Sequence, residues 1–251
     1  MAVVWMKVDG DMRYEVRTAG SSLRLYTNGI FHSHWNPNHP VGGQLWDLLF
    51  LPSLFVNDFP KIDRCLVLGV GGGAVINALF HFAKVGAVQA VDLDENHLYI
   101  AKKYFLKNKA RVELTQADAI QYVKHYKGEA FDYIVEDLFA GAENNASDAR
   151  RAVVVDKAWL KALSTVLTDD GVLVFNFENE RQARAVLKPS LLKEVGLNSR
   201  RFFRHPGYEN CIGVCLKTKS RDDIFYRNLD VIETLFGRSA LAKLQYSLLV
   251  K

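Results

Sequence analysis

Four acidic residues are spaced so that their carboxylates can meet in one crevice. Asp92, Asp118, Asp137 and Glu178 each come at or just after the end of an apolar run that reads as a β-strand. Ahead of them lies CLVLGVGGGAVINAL, Cys65 to Leu79, where a buried run breaks into Gly69, Gly71, Gly72 and Gly73 and a helical pattern follows at once. Small residues there let backbone approach a ligand, and Asp92, closing the next strand, falls where a carboxylate can accept hydrogen bonds from both hydroxyls of a ribose. Glycine runs also make plain strand-to-helix turns, and Asp118 before AIQYVKHY also reads as a helix N-cap. Four acids at successive strand ends are nevertheless harder to dismiss, and with the glycine turn they point to one ligand crevice.

Those acids need strands ending on a common edge. Runs at 65–68, 87–93, 111–115, 131–136, 171–177, 198–203 and 211–217 alternate with amphipathic segments, which predicts a Rossmann-like α/β fold: a seven-stranded, mostly parallel sheet with helices on both faces. The turn-rich PGYEN between the last two runs makes them an antiparallel terminal hairpin. Ligands bind outside the carboxyl ends of such strands. Ahead of the sheet, 13–18, 23–26 and 30–33 alternate as strands, with Asn28-Gly29 as a two-residue hairpin turn. His32 to Gly43 reads as a loop, GQLWDLLFLPSLF as a buried helix ending near Pro52, and the tail past Lys219 as helical, with Ser220 as its N-cap. The organisation is a small N-terminal antiparallel β region (1–43), a Rossmann-like domain (44–219) and a C-terminal helical extension (220–251).

The 251 residues, 49% hydrophobic and 24% charged, have the composition of a folded chain. A net charge of +4 is only mildly basic, and the one cationic cluster, Arg200, Arg201, Arg204 and His205, reads as a solvated face, so nucleic acid is not an indicated partner. Three cysteines without a CxxC pair indicate reduced, structural thiols and suit a cytoplasmic protein. The start, MAVVWMKVDGD, lacks a leader pattern, and no apolar run approaches the ~20 residues of a membrane span. His32, His34 and His39 have no cysteine or acid at a familiar metal spacing, so no metal is expected; with Trp35 and Trp46 they can instead wall a substrate crevice.

The motifs VLGVGGG, AVDLDENHLYIAKKYF, TQADAIQYV, and AFDYIVEDLF followed by a helix and GVLVFNF resemble the spermidine synthase-like branch of the class I S-adenosylmethionine-dependent methyltransferase superfamily, over roughly Leu23 to Lys217. The resemblance implies that Gly69, Gly71, Gly72 and Gly73 hold the methionine portion of S-adenosylmethionine, that Asp92, with Leu93 beside it, holds the ribose, and that Asp118, with Ala119, meets the adenine amine. It places Asp137 facing the substrate amine and makes Asp47, Asn176 and Glu178 second-tier substrate candidates.

Two departures decide the expected reaction. Aminopropyltransferases of this branch, which use decarboxylated S-adenosylmethionine, carry an acid where this chain has Gly72 and a second acid where it has Ala140. Glu143 and Asp148 are out of register for that second acid, and Arg150 and Arg151 would repel a polyamine. The reading is therefore an S-adenosylmethionine-dependent methyltransferase in which Asp137 serves an unidentified acceptor amine, of a protein or a small molecule. The alternatives are a polyamine aminopropyltransferase and a non-catalytic nucleoside-binding module; the resemblance and the apolar helical tail also suggest a homodimer. A nicotinamide dehydrogenase is disfavoured because the turn lacks the later glycine of a dinucleotide site.

Overall fold

The structure, a computed structural model, describes residues 1–142, 145–219 and 221–250, with backbone only at 141, 142 and 145–148. Four antiparallel strands open the chain: β1 (Ala2–Asp9), β2 (Met12–Ala19), β3 (Ser22–Thr27) and β4 (Ile30–Trp35), in the order β1-β2-β3-β4. Asn28 (φ 50°) and Gly29 (φ 82°) both take the positive φ that a tight hairpin turn requires. β1 is a strand that the alternation reading does not mark, because its side chains are mostly exposed and no buried face sets a pattern. His32 and His34 belong to β4 rather than to a loop.

Helix α1 (Asp47–Phe50) runs into a 3-10 turn, Leu51–Phe55, whose residues are all buried. The alternating part follows: β5 (Lys61–Leu68), α2 (Ala74–Phe82), β6 (Lys84–Asp92), α3 (Glu95–Ile100) extended by a π-helical turn to Phe105, β7 (Val112–Gln116), α4 (Ala119–His125) and β8 (Phe131–Glu136). A hairpin of β9 (Phe139–Ala142) and β10 (Asn145–Arg151) interrupts the alternation. Then come α5 (Lys157–Thr165), β11 (Leu167–Phe177), α6 (Glu180–Val186), α7 (Pro189–Glu194), β12 (Ser199–Arg204), β13 (Cys211–Leu216), α8 (Asp222–Phe236) and β14 (Ser247–Leu249).

The main sheet has the order β14-β12-β13-β11-β8-β5-β6-β7, parallel from β11 to β7 and antiparallel through the β12–β13 hairpin, as the sequence predicts. β14 adds an eighth strand by pairing with β12, so the C-terminal extension is not wholly helical. Side chains cover both faces: Phe50, Phe55, Phe82, Phe203 and Phe225 lie on one, and Phe131, Trp159, Phe175, Phe177 and Phe202 on the other. The tail docks on its own chain. Asn228 on α8 donates to the carbonyls of Leu54 and Val56 (2.9 Å each), and Phe225 lies 4.9 Å from Phe55. Ser220 lies outside the described residues, and Arg221 precedes the helix.

All three cysteines are buried and unpaired. The Arg200–Arg204 cluster is not a solvated face: Arg201 is 8% exposed and paired with Asp222 (2.6 Å), and Arg204 meets Glu180 (3.1 Å). Among the described residues, no helix is long and apolar enough to cross a membrane.

Candidate active site

β5 lies between β6 and β8, so successive connections leave it in opposite directions and their carboxyl ends open a crevice. The ends of β5 and β8 touch there: the Asp137 amide donates to the Leu68 carbonyl (2.8 Å), and a Cβ at Gly69 would stand 2.2 Å from the Asp137 carbonyl oxygen. With φ at +85° as well, position 69 admits only glycine. Gly73 (φ +80°) then starts α2. Asp92, ending β6, folds back on the turn and accepts hydrogen bonds from the amides of Val70 (2.7 Å) and Gly71 (3.2 Å) through Oδ2, and from Asp94 (2.9 Å) through Oδ1.

The N-terminal sheet closes over this turn. Ser33 on β4, 1% exposed, accepts from the Gly72 amide (2.8 Å), and a Cβ at Gly72 would stand 2.8 Å from Ser33 Cβ and 3.0 Å from the Phe105 ring. His32, pushed down to about 4 by burial, faces His97 at 5.2 Å. His97 reaches Thr27 (2.9 Å) and lies 3.9 Å from Asp92, while Tyr14 donates to Asp94 (2.7 Å). The β-region thus docks on the acids that end the second strand of the parallel sheet.

Asp137 follows β8 and is half-buried. Desolvation raises its pKa to about 6, against a hydrogen bond from Asn176 to Oδ1 (2.8 Å). Asn176, 3% exposed, accepts in turn from Asn210 (3.0 Å). Beneath them Glu136, fully buried, receives two bonds from Arg151 Nη2 (2.5 and 2.7 Å) and a third from Trp159 (3.2 Å); Arg151 also donates to the Asn176 carbonyl. Arg151 is therefore spent inside the fold as the counter-ion of Glu136 rather than facing an incoming cation. Glu178 is engaged by the same hairpin, through the Arg151 amide (3.0 Å) and Arg150 (3.4 Å).

The remaining candidates separate. Asp118 is exposed and caps α4 through the Gln121 amide (2.8 Å), with Ala119 buried behind it. Leu93 is 70% exposed on the rim. Asp47 is buried at the start of α1, where it accepts from the Gln44 amide (2.9 Å) and desolvation raises its pKa to about 6; Gln44 takes a bond from Tyr208 (2.9 Å). The glycine turn, Asp92, Asp137 and Asn176 come together, whereas Glu178 is held by the hairpin and Asp47 serves its own loop. Glu143 lies outside the described residues, as does the Asp148 side chain. Sequence reasoning missed Ser33 and Asn210. Only the folded register reveals Asn210: β13 pairs Cys211 with Phe177 and Ile212 with Asn176, making Asn210 the diagonal neighbour of Asn176.

Fold and site define a Rossmann-like α/β protein with its crevice at the reversal between β5 and β8. The chain belongs to the spermine/spermidine synthase domain family, which matches residues 53–209. It is 32% identical over 95 residues to polyamine aminopropyltransferase 2 of Caldanaerobacter subterraneus subsp. tengcongensis (37% of this chain, 31% of the relative). Over 120 residues it is 29% identical to the polyamine aminopropyltransferase of Vibrio vulnificus (47% and 38%). The matches therefore span less than two fifths of either relative. A probable spermidine synthase from Corynebacterium glutamicum shares the fold, with a TM-score of 0.69 at 15% identity over 96% of this chain and 95% of that one.

These relatives overturn the methyltransferase expectation, since both curated relatives carry the aminopropyltransferase name. The physical reason is at Gly72. The missing acid does not leave an empty place at the turn, because Ser33 from another element packs where a Cβ at position 72 would stand. Gly72 therefore reports packing against Ser33 and is no signal for a methyl donor.

Proposed function

We propose that this chain is a polyamine aminopropyltransferase that moves an aminopropyl group from decarboxylated S-adenosylmethionine to an amine. The observation that carries the reading is Asp137: a half-buried carboxylate at the crevice, poised near neutrality by desolvation, with Oδ1 held by Asn176. The family match spans this whole region. The donor, when bound, supplies a sulfonium whose adjacent methylene carbon is open to in-line displacement.

An acceptor amine arrives largely protonated at neutral pH. Asp137 takes that proton, the freed nitrogen pair forms the new C–N bond, and the C–S bond breaks with its electrons returning to sulfur, leaving a neutral thioether. A base near pKa 6 is basic enough to accept the proton and is ionised at pH 7. Gly69, Gly71, Gly72 and Gly73 cradle the donor, Asp92 and Leu93 serve its ribose, and Asp118 and Ala119 serve its adenine. Asn176 orients Asp137, while Asp47 and Glu178 act only through the loops they hold.

The test supplies purified chain with decarboxylated or intact S-adenosylmethionine and a diamine, following product by mass spectrometry and donor binding by calorimetry. Aminopropylated product is expected, with Asp137→Asn binding donor normally but losing about 10²–10⁴-fold in kcat. Methylated product, or full activity in Asp137→Asn, would overturn the reading.

A further inference from the structure

We propose that Asn210 is a positioning residue: by fixing which end of the Asn176 amide faces Asp137, it keeps that carboxylate ready to accept a proton. This rests on the reading of Asp137 as the base of aminopropyl transfer.

The orientation follows from donor and acceptor chemistry, without relying on how either amide is assigned. An ionised carboxylate only accepts hydrogen bonds, so the Asn176 atom 2.8 Å from Asp137 Oδ1 must be its amide nitrogen. The Asn176 carbonyl then faces the other way, and the Asn210 atom 3.0 Å from it must be a nitrogen. Asn176 is 3% exposed, so water cannot readily replace either partner.

Once Asp137 has taken a proton, it can donate as well as accept. A flipped Asn176 would then offer its carbonyl to the new O–H and trap the proton. Asn210 opposes that flip, because turning Asn176 alone sets two amide nitrogens against each other, and only a concerted turn of both amides would restore the bond. Asn210 reaches the spot by register: it precedes β13, in which Cys211 pairs with Phe177, and its side chain falls diagonally against Asn176. The other charges acting on Asp137 sit on different elements. Glu136 on β8 and Asp92 on β6 raise its pKa, and Arg151 on β10 lowers it.

The test measures Asp137 twice in Asn210→Ala, Asn210→Asp and wild type: by carbon NMR titration of its carboxyl in the free protein, and by the acidic limb of kcat/KM with decarboxylated donor and a diamine. Losing the Asn210 donor should move both midpoints up by about half a pH unit, a roughly threefold loss of kcat/KM on the acidic side with none on the alkaline plateau. Asn210→Asp, which only accepts and so draws the Asn176 nitrogen away, should move them up by about one unit or more. Glu209→Gln, next door, controls for through-space charge and should change little. If Asn210→Ala titrates as wild type does, or if Glu209→Gln shifts as far as Asn210→Asp, the proposal fails. A wild type without amine transfer would defeat the functional reading, while the carboxyl titration would still decide what Asn210 does to Asp137.

Discussion

Placing an acid at position 72 tests whether the glycine turn is shaped by its donor or by the strand above it. In Gly72→Asp the new Cβ would stand 2.8 Å from Ser33 Cβ and 3.0 Å from Phe105 Cζ, about 1 Å inside ordinary carbon contact. Phe105 can tilt, but Ser33 cannot retreat, because β4 is paired to β3 with Ser33 opposite Leu25. Overpacking of this kind costs about 1–3 kcal/mol, and loss of the Gly72 to Ser33 hydrogen bond adds about 1 kcal/mol. At roughly 2–4 °C per kcal/mol for a chain of this size, the melting temperature should fall by about 5–15 °C. Gly72→Asp/Ser33→Gly removes both the blocking Cβ and the orphaned hydroxyl and should recover most of that loss. The double variant should also bind decarboxylated donor about tenfold more tightly, since its ammonium gains a charged partner. Thermal unfolding followed by circular dichroism, with calorimetry for the donor, reads both effects. If Gly72→Asp alone melts with wild type, Ser33 does not clamp the turn and the account of Gly72 is wrong.

Two other perturbations follow from the buried charges. Glu136→Gln or Arg151→Met alone should destabilise by about 3–5 kcal/mol in urea titrations, because each leaves a partner buried without its counter-charge; the double variant should lose clearly less than the two single losses added together. Asp47 has its pKa raised to about 6 from 3.8, so the folded chain binds that proton more tightly than the unfolded one, and its contribution to stability falls as pH rises from about 4 to about 6. Asp47→Asn should remove that slope and stabilise by on the order of 2 kcal/mol at pH 7, with no gain at pH 4. An unchanged difference across that range would refute the desolvation account.

Much of this protein was legible because its signals are local. Apolar runs of strand length, separated by amphipathic segments, place seven strands of the main sheet to within a few residues, and the glycines after β5 mark the crevice because backbone conformation at Gly69 and Gly73 is a property of those residues themselves. Asp92 and Asp137 could be found as strand-end acids for the same reason. β1 and β14 were not legible, since mostly exposed or very short strands carry no inward-facing pattern, and the β9–β10 hairpin hides in a polar stretch.

What the tertiary structure alone decided is how distant side chains share space. Gly72 looked like a missing carboxylate until Ser33, thirty-nine positions away, proved to occupy its place. Arg151 read as a charge that would repel a polyamine until its Nη2 proved to be turned inward onto Glu136. Asn210 had no apparent role until strand register set it against Asn176. Sequence determines which residues can end a strand or make a turn, because those preferences belong to the residue and its neighbours. Whether a carboxylate is paired, a glycine enclosed or an amide held in one orientation depends on groups brought together by folding, and only packing supplies them.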